Sequence, residues 1–160
     1  MIYQLKDLAI ISRGSQPFPV SKYLSNTGYP WLKIADFKLG DRVVNNTHEF
    51  IKHEGINKTK LVPKGTLVVS SSGTLGIPIF TGSQMCLYSG FIYFEKLSDK
   101  IMPLYLFYYL LKLRQTLQTK GTGAAIKHLQ IKTFENLKID LPSIDNQIHI
   151  VNTILFNLFF

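Results

Sequence analysis

Only one cysteine, Cys86, occurs in the 160 residues, so the chain has no intramolecular disulfide and no thiolate cluster for zinc. The four histidines, His48, His53, His128 and His149, are scattered, and no HExxH pair exists. His48 and His53 lie in a polar stretch where two solvated imidazoles outweigh a metal site, so no metal is expected. Catalytic signatures are equally sparse. GTLG (residues 73–76) lacks the Lys-Ser/Thr of a phosphate loop, and SSSGTLG (residues 70–76) is not a GxSxG nucleophile elbow. DLPS (residues 140–143) echoes the Asp/Asn-Pro-Pro-aromatic motif of adenine methyltransferases but lacks the proline pair and the aromatic. No Gly-rich turn follows a strand as a methyl-donor or nucleotide site requires. Catalysis by this chain is therefore not expected. The longest apolar run, inside residues 102–118, is too short to span a bilayer. Lys6 and Asp7 interrupt the N-terminal apolar pattern, so it is not a signal peptide, and the expected location is the cytoplasm.

Acidic residues are also scarce. Ten Asp and Glu face eighteen Lys and Arg, for a net charge of +8. With 46% apolar and 12% aromatic residues, the chain has the composition of one folded domain. The charge is uneven: Lys100, Lys112, Arg114, Lys120, Lys127 and Lys132 fall in residues 100–134, which contain no acid. Such a block attracts polyanions, of which nucleic acid is the commonest, although a high isoelectric point alone has the same composition.

Apolar periodicity divides the chain in two. Residues 8–11, 31–34, 67–69, 77–80 and 91–94 are short branched or aromatic runs, separated by glycine and proline, and predict strands. Residues 51–60 predict a short helix that Gly55 weakens. Residues 102–118 (MPLYLFYYLLKLRQTLQ) predict one long, largely buried helix with proline in its first turn. Its tyrosines, Tyr105, Tyr108 and Tyr109, suit either base stacking or the core, and their helical spacing favours the core. Residues 120–125 (KGTGAA) predict a flexible loop, 128–134 a short helix and 137–141 a strand. Beyond Ser143, the residues Ile144, Ile148, Val151, Leu155 and Leu158 follow a four-three-four-three spacing, the seam of a coiled coil. A helix of about 18 residues, about 27 Å long, is marginal alone. The seam therefore packs on its own domain, pairs with a second copy, or opens a longer helix.

Four segments in order, SRGSQP (residues 12–17), PWLKIADF (30–37), LVPKGTLVVSSSGTLG (61–76) and KGTGAAIKHLQIKTFENLKIDLPSIDNQIHIV (120–151), resemble the specificity subunit of type I restriction-modification enzymes. The matching positions are Gly14, Pro17, Pro30, Trp31, Asp36, Pro63, Gly65, Gly73, Gly76, Gly121, Leu129, Leu141, Pro142 and Gln147. The usual Leu-Pro-Pro reads Leu141-Pro142-Ser143 here, and a serine before a helix is a good N-cap. The resemblance implies a mixed α/β (α+β) target recognition domain over residues 1–142. Its sheet is twisted and mostly antiparallel, with helices packed against it. Residues 143–160 would then begin the conserved spacer or dimerisation helix, starting a coiled coil. It further implies sequence-specific binding of double-stranded DNA by a non-catalytic component that directs modification and restriction subunits. S-adenosylmethionine would be held by the modification subunits, with no cofactor in this chain. A full subunit of the family carries two such domains and two long helices. This chain is thus a half-subunit that dimerises, a shortened product, or a piece of a longer chain. A remnant that binds modification subunits without reading DNA is the competing function.

Readout requires polar side chains on loops that reach a groove, backed by cations that grip phosphate. The first choice is the loop of residues 120–128, with Lys120, Thr122, Lys127 and His128 around small residues. Ser71, Ser72 and Thr74 come second. Third are Arg13, Ser15 and Gln16, with Lys38, Arg42, Asn45 and Asn46 after the PWLKIADF block.

Overall fold

The computed structural model describes residues 1–159. The chain runs β1 (Ile2–Gln4), β2 (Ile10–Arg13), α1 (Val20–Tyr23), β3 (Leu24–Ser25), β4 (Tyr29–Leu32), β5 (Val43–Val44), β6 (Glu49–Ile51), β7 (Lys60–Val62), β8 (Leu67–Ser70), β9 (Pro78–Thr81), β10 (Met85–Leu87), β11 (Phe91–Glu95), α2 (Pro103–Lys112), α3 (Arg114–Thr119), α4 (Ile131–Glu135), β12 (Lys138–Asp140) and α5 (Ile144–Phe159). One five-stranded sheet has the order β2-β11-β8-β9-β5, a second has β3-β6-β4-β10-β7, and β1 and β12 form a separate ribbon. The pairing is mostly antiparallel, with parallel contacts at β10–β4 and β5–β9. The expected mixed α/β fold with mostly antiparallel pairing is present, its strands divided between two sheets and a ribbon.

Strand alternation explains how the layers stack. On β8 and β11, Leu67, Val69, Ile92 and Phe94 point to one side, into a core shared with Leu106, Phe107, Leu110, Leu117 and Phe134 of the helices. Val68, Phe91 and Tyr93 point to the other, onto Leu32, Val62, Met85 and Leu87 of the second sheet. The first sheet is therefore the middle layer between helices and the second sheet. Burial on both faces is why its strands read as continuous apolar runs. The outer face of the second sheet is closed by Tyr23, Trp31, Ile51 and Cys86, and burial pushes the Cys86 thiol up to about 11.

Three helix expectations change. Residues 102–118 form two helices, α2 and α3, because the chain turns at Leu113 (φ −80°, ψ −2°). Residues 51–60 run from the last residue of β6 through a 3-10 turn at His53–Lys58 to the first residue of β7, with Gly55 against Tyr23 and Ile51. The helix expected at 128–134 starts only at Ile131, because His128 is held in backbone bridges to Ser72 and Thr122. Tyr105, Tyr108 and Tyr109 pack against the helix-side core as expected, and the Tyr109 hydroxyl donates to the Lys138 carbonyl at 2.7 Å.

Helix α5 docks on the body off-centre from its heptad seam. Val151 is buried, Leu155 is half-buried, and Ile144, Ile148 and Leu158 remain exposed. The seam is therefore not one continuous partner surface, since Val151 already faces the body. The dock is polar at its centre. Gln147 is fully buried: its Oε1 accepts from the Met102 amide (2.9 Å), while Nε2 donates to the Lys100 (2.8 Å) and Pro142 (2.9 Å) carbonyls. This one side chain ties the start of α2 to α5. Gln147→Ala would strand the Met102 amide and both carbonyls, so the expected loss is about 2–3 kcal/mol of stability. Urea unfolding followed by circular dichroism measures it.

Candidate nucleic-acid interface

Strand direction sorts the predicted residues. Arg13 at the end of β2 pairs with Ile92, and Ser70 at the end of β8 pairs with Phe91 at the start of β11. The segments beyond these ends, residues 14–19, 71–76 and 88–90, therefore leave the central sheet at one end. The loop of residues 120–128 joins them there through backbone bonds. Gly73 donates to Lys127 (3.0 Å), Leu129 donates to Ser71 (2.8 Å), and Thr122 and His128 bond each other (2.9 and 2.8 Å). The two leading candidate loops are thus one double loop. Gly121 permits the junction: a Cβ there would lie 2.4 Å from Leu75 Cδ1.

At the root of the double loop sits Arg13. Its Nη1 donates to Ser71 Oγ (3.1 Å) and the Ser89 carbonyl (2.9 Å), and Nη2 donates to the Leu129 carbonyl (2.5 Å). The guanidinium is half-buried and has no paired carboxylate among the described residues, and desolvation lowers its pKa from the ordinary arginine value. Arg13 braces the loop root through its bonds, and the full burial of Ser71 corrects the expectation that this serine is exposed for readout.

The outward positions are Thr74, Lys120, Thr122, Lys127, His128 and Gln16, all exposed, with Ser72 half-buried beside them. Ser15 is half-buried too, with its amide donating to the Leu87 carbonyl (3.0 Å) and its hydroxyl to that of Lys58 (3.4 Å). Asn45 and Asn46 are exposed but follow β5, which runs parallel to β9 and ends opposite Thr81. That is the other end of the sheet, so these two do not join the double loop. Lys38 and Arg42 lie on the turn before β5, where the Arg42 carbonyl accepts from Phe80 (2.8 Å). They flank the outer edge strand rather than the loop cluster.

The basic block of residues 100–134 is also dispersed. Lys100 lies 5.3 Å from the ring centre of Tyr3, while Lys120 and Lys132 line one groove with Gln130 and Asn136. Sequence order missed a second cationic group. Lys22 and Lys58 lie 5.5 and 5.8 Å from the Tyr23 ring, and Lys52 Nζ donates to the Lys22 carbonyl at 3.2 Å. These residues come from segments 30 positions apart, so no local charge run signals them. Lys33 lies 3.6 and 4.3 Å from the Trp31 and Tyr88 ring centres. Burial lowers its pKa, opposed by Glu49 and Asp36. Among the described residues no cluster of three or more His, Cys, Asp or Glu could hold a metal, and His48 bonds Asp36 at 2.5 Å. No described helix is long and apolar enough to cross a membrane.

Residues 1–158 match the profile of the type I restriction modification DNA specificity domain. The chain belongs to the type I restriction-modification specificity domain family. Specificity subunits of this family are the non-catalytic, DNA-recognition components of their systems. This specificity domain is similar to the MjaVIII type I restriction enzyme specificity subunit of Methanocaldococcus jannaschii, 37% identical over 94 residues, which is 57% of this chain and 21% of the relative. Its fold is that of a chain solved in work on assembly and conformational transition of the type I R-M system (TM-score 0.78, 20% identity, 96% of this chain and 36% of that one). The HsdS subunit of Thermoanaerobacter tengcongensis shares it as well (TM-score 0.74, 20% identity, 96% and 36%). The specificity domain therefore spans about a fifth to a third of the length of these relatives.

Arg13→Ala removes three charge-assisted hydrogen bonds at the loop junction. The expected result is a loss of about 2 kcal/mol and faster tryptic cleavage after Lys120 and Lys127, read by thermal unfolding and limited proteolysis.

Proposed function

We propose that this specificity domain reads a short block of double-stranded DNA with its double loop and so selects the target of a type I restriction-modification complex. The observation that carries the reading is the convergence of two polar, glycine-rich loops at one end of the central sheet, with Arg13 fixing their root. Arg13, Gly14 and Gly121 keep the junction close, and Gln16, Thr74, Lys120, Thr122, Lys127 and His128 offer donors and cations outward. In this reading Lys120 and Lys127 hold phosphates, whereas Gln16, Ser72, Thr74, Thr122 and His128 supply polar groups to base edges. Lys38, Arg42, Asn45 and Asn46 make secondary contacts where the duplex follows the outer strand edge.

Residues 1–142 would carry recognition and residues 143–160 association. Modification subunits, which would hold S-adenosylmethionine, and restriction subunits are the proposed partners. Ile144, Ile148, Leu155 and Leu158 supply an apolar surface for those subunits, for a second recognition domain or for a second copy.

Selection of bound duplexes from a random pool tests the main reading, since a recognition module enriches a consensus and a protein-interaction remnant enriches none. Lys127→Ala should weaken binding to all duplexes alike and lower the slope of log affinity against log salt by about one. Discrimination lost at a single base would instead make Lys127 a base contact. Ile148→Asp should leave duplex binding intact while weakening association with the modification subunit or a second copy, measured by sedimentation velocity. Unchanged association would exclude this face as the partner surface.

A further inference from the structure

Phe18 is 86% exposed, the largest value among the exposed large apolar side chains described. A lone exposed phenylalanine is ordinary on a flexible loop, where it can fold back. This loop has little slack. Gly14 donates to the Phe91 carbonyl (2.9 Å) and Ser15 to that of Leu87 (3.0 Å), while the Thr59 hydroxyl lies 2.6 Å from the Ser15 carbonyl. A Cβ on Gly14 would lie 2.1 Å from the Tyr88 carbonyl oxygen, so the backbone there is closely fitted. Pro17 is buried, Pro19 fixes its own φ, and α1 follows at once. The ring is thus held outward by its loop.

Its surroundings indicate what the ring meets. Lys22, Lys52 and Lys58 gather around Tyr23, five residues after Phe18 in the chain, and Ser15 bonds the Lys58 backbone. None of the three lysines forms an ion pair with a carboxylate among the described residues. An apolar protein surface seated on Phe18 would have to desolvate these ammonium groups, which is unfavourable. A duplex offers both complements at once, flat faces for the ring and phosphates for the lysines. The tip also leaves the same end of the sheet as the double loop.

We propose that Phe18 is a wedge that enters between neighbouring base pairs of the bound duplex and unstacks them, with Lys22, Lys52 and Lys58 on the flanking phosphates. Gln16, on the same tip, faces the adjoining base edge. The inference rests on the reading of this chain as a DNA-recognition module, and it adds indirect readout: flexible pyrimidine–purine steps are the easiest to open.

The test uses the full chain and the duplex it enriches from a random pool, labelled with 2-aminopurine at successive positions. The unsubstituted chain should raise fluorescence at one step. Phe18→Ala should abolish that rise and lower affinity for the enriched duplex about tenfold, while binding to a scrambled duplex changes less than about twofold. Phe18→Trp should restore both signals, and unchanged circular dichroism confirms that the variants fold. If Phe18→Ala retains the fluorescence rise and the affinity, the wedge is overturned and the recognition function stands. Loss of modification-subunit binding with DNA binding intact would also overturn it, in favour of a protein contact. Failure of the unsubstituted chain to enrich any duplex overturns both readings.

Discussion

The geometry of the candidate interface depends on one half-buried cation. Arg13 reaches partners 58, 76 and 116 residues away in sequence, and all three are neutral oxygens. A guanidinium suits this task because its donors are fixed in a plane and can serve several acceptors at once, which an ammonium on a flexible stem cannot do. Placed among carbonyls, it holds the end of β2, the turn between the two sheets and the root of the double loop in one arrangement. The desolvation it suffers is balanced only while all three partners are in place, so the loops are ordered together.

That arrangement also separates strength from recognition. The serine and arginine types that suit DNA contact are partly consumed within the fold, and the groups left outside are short polar side chains and lysines. The rigid inner ring limits where these outer groups can point. Recognition by such a surface relies on position as much as on residue identity.

Much of the architecture was legible where burial is two-sided. Residues 67–69, 77–80 and 91–94 read as strands because apolar side chains on both faces leave no polar alternation. The short strands β3, β5, β6 and β7 were not legible, since each spans two or three residues and includes exposed or half-buried positions. The turn at Leu113 was hidden because the apolar pattern continues through it into Leu117. Of the candidate site, the loops were legible as groups from glycine and polar residues. The inward roles of Arg13 and Ser71 were not, because they arise from pairing across long sequence separations. Several residues that carry the family resemblance, Gly14, Gly121 and Gln147, prove to be positions of close approach or buried bonding. The motif therefore records junction geometry rather than base preference.

The ribbon of β1 and β12 gives the body a closed outline. Ile2 lies opposite Asp140, the Met1 ammonium meets the Asp140 carboxylate at 3.0 Å, and α5 begins four residues later at Ile144. The first strand and the last strand of the recognition body are therefore neighbours, whatever the chain does between them. The start of α5 therefore lies beside a ribbon made by both ends of the body, and the pairing of β1 with β12 helps to set where α5 leaves it.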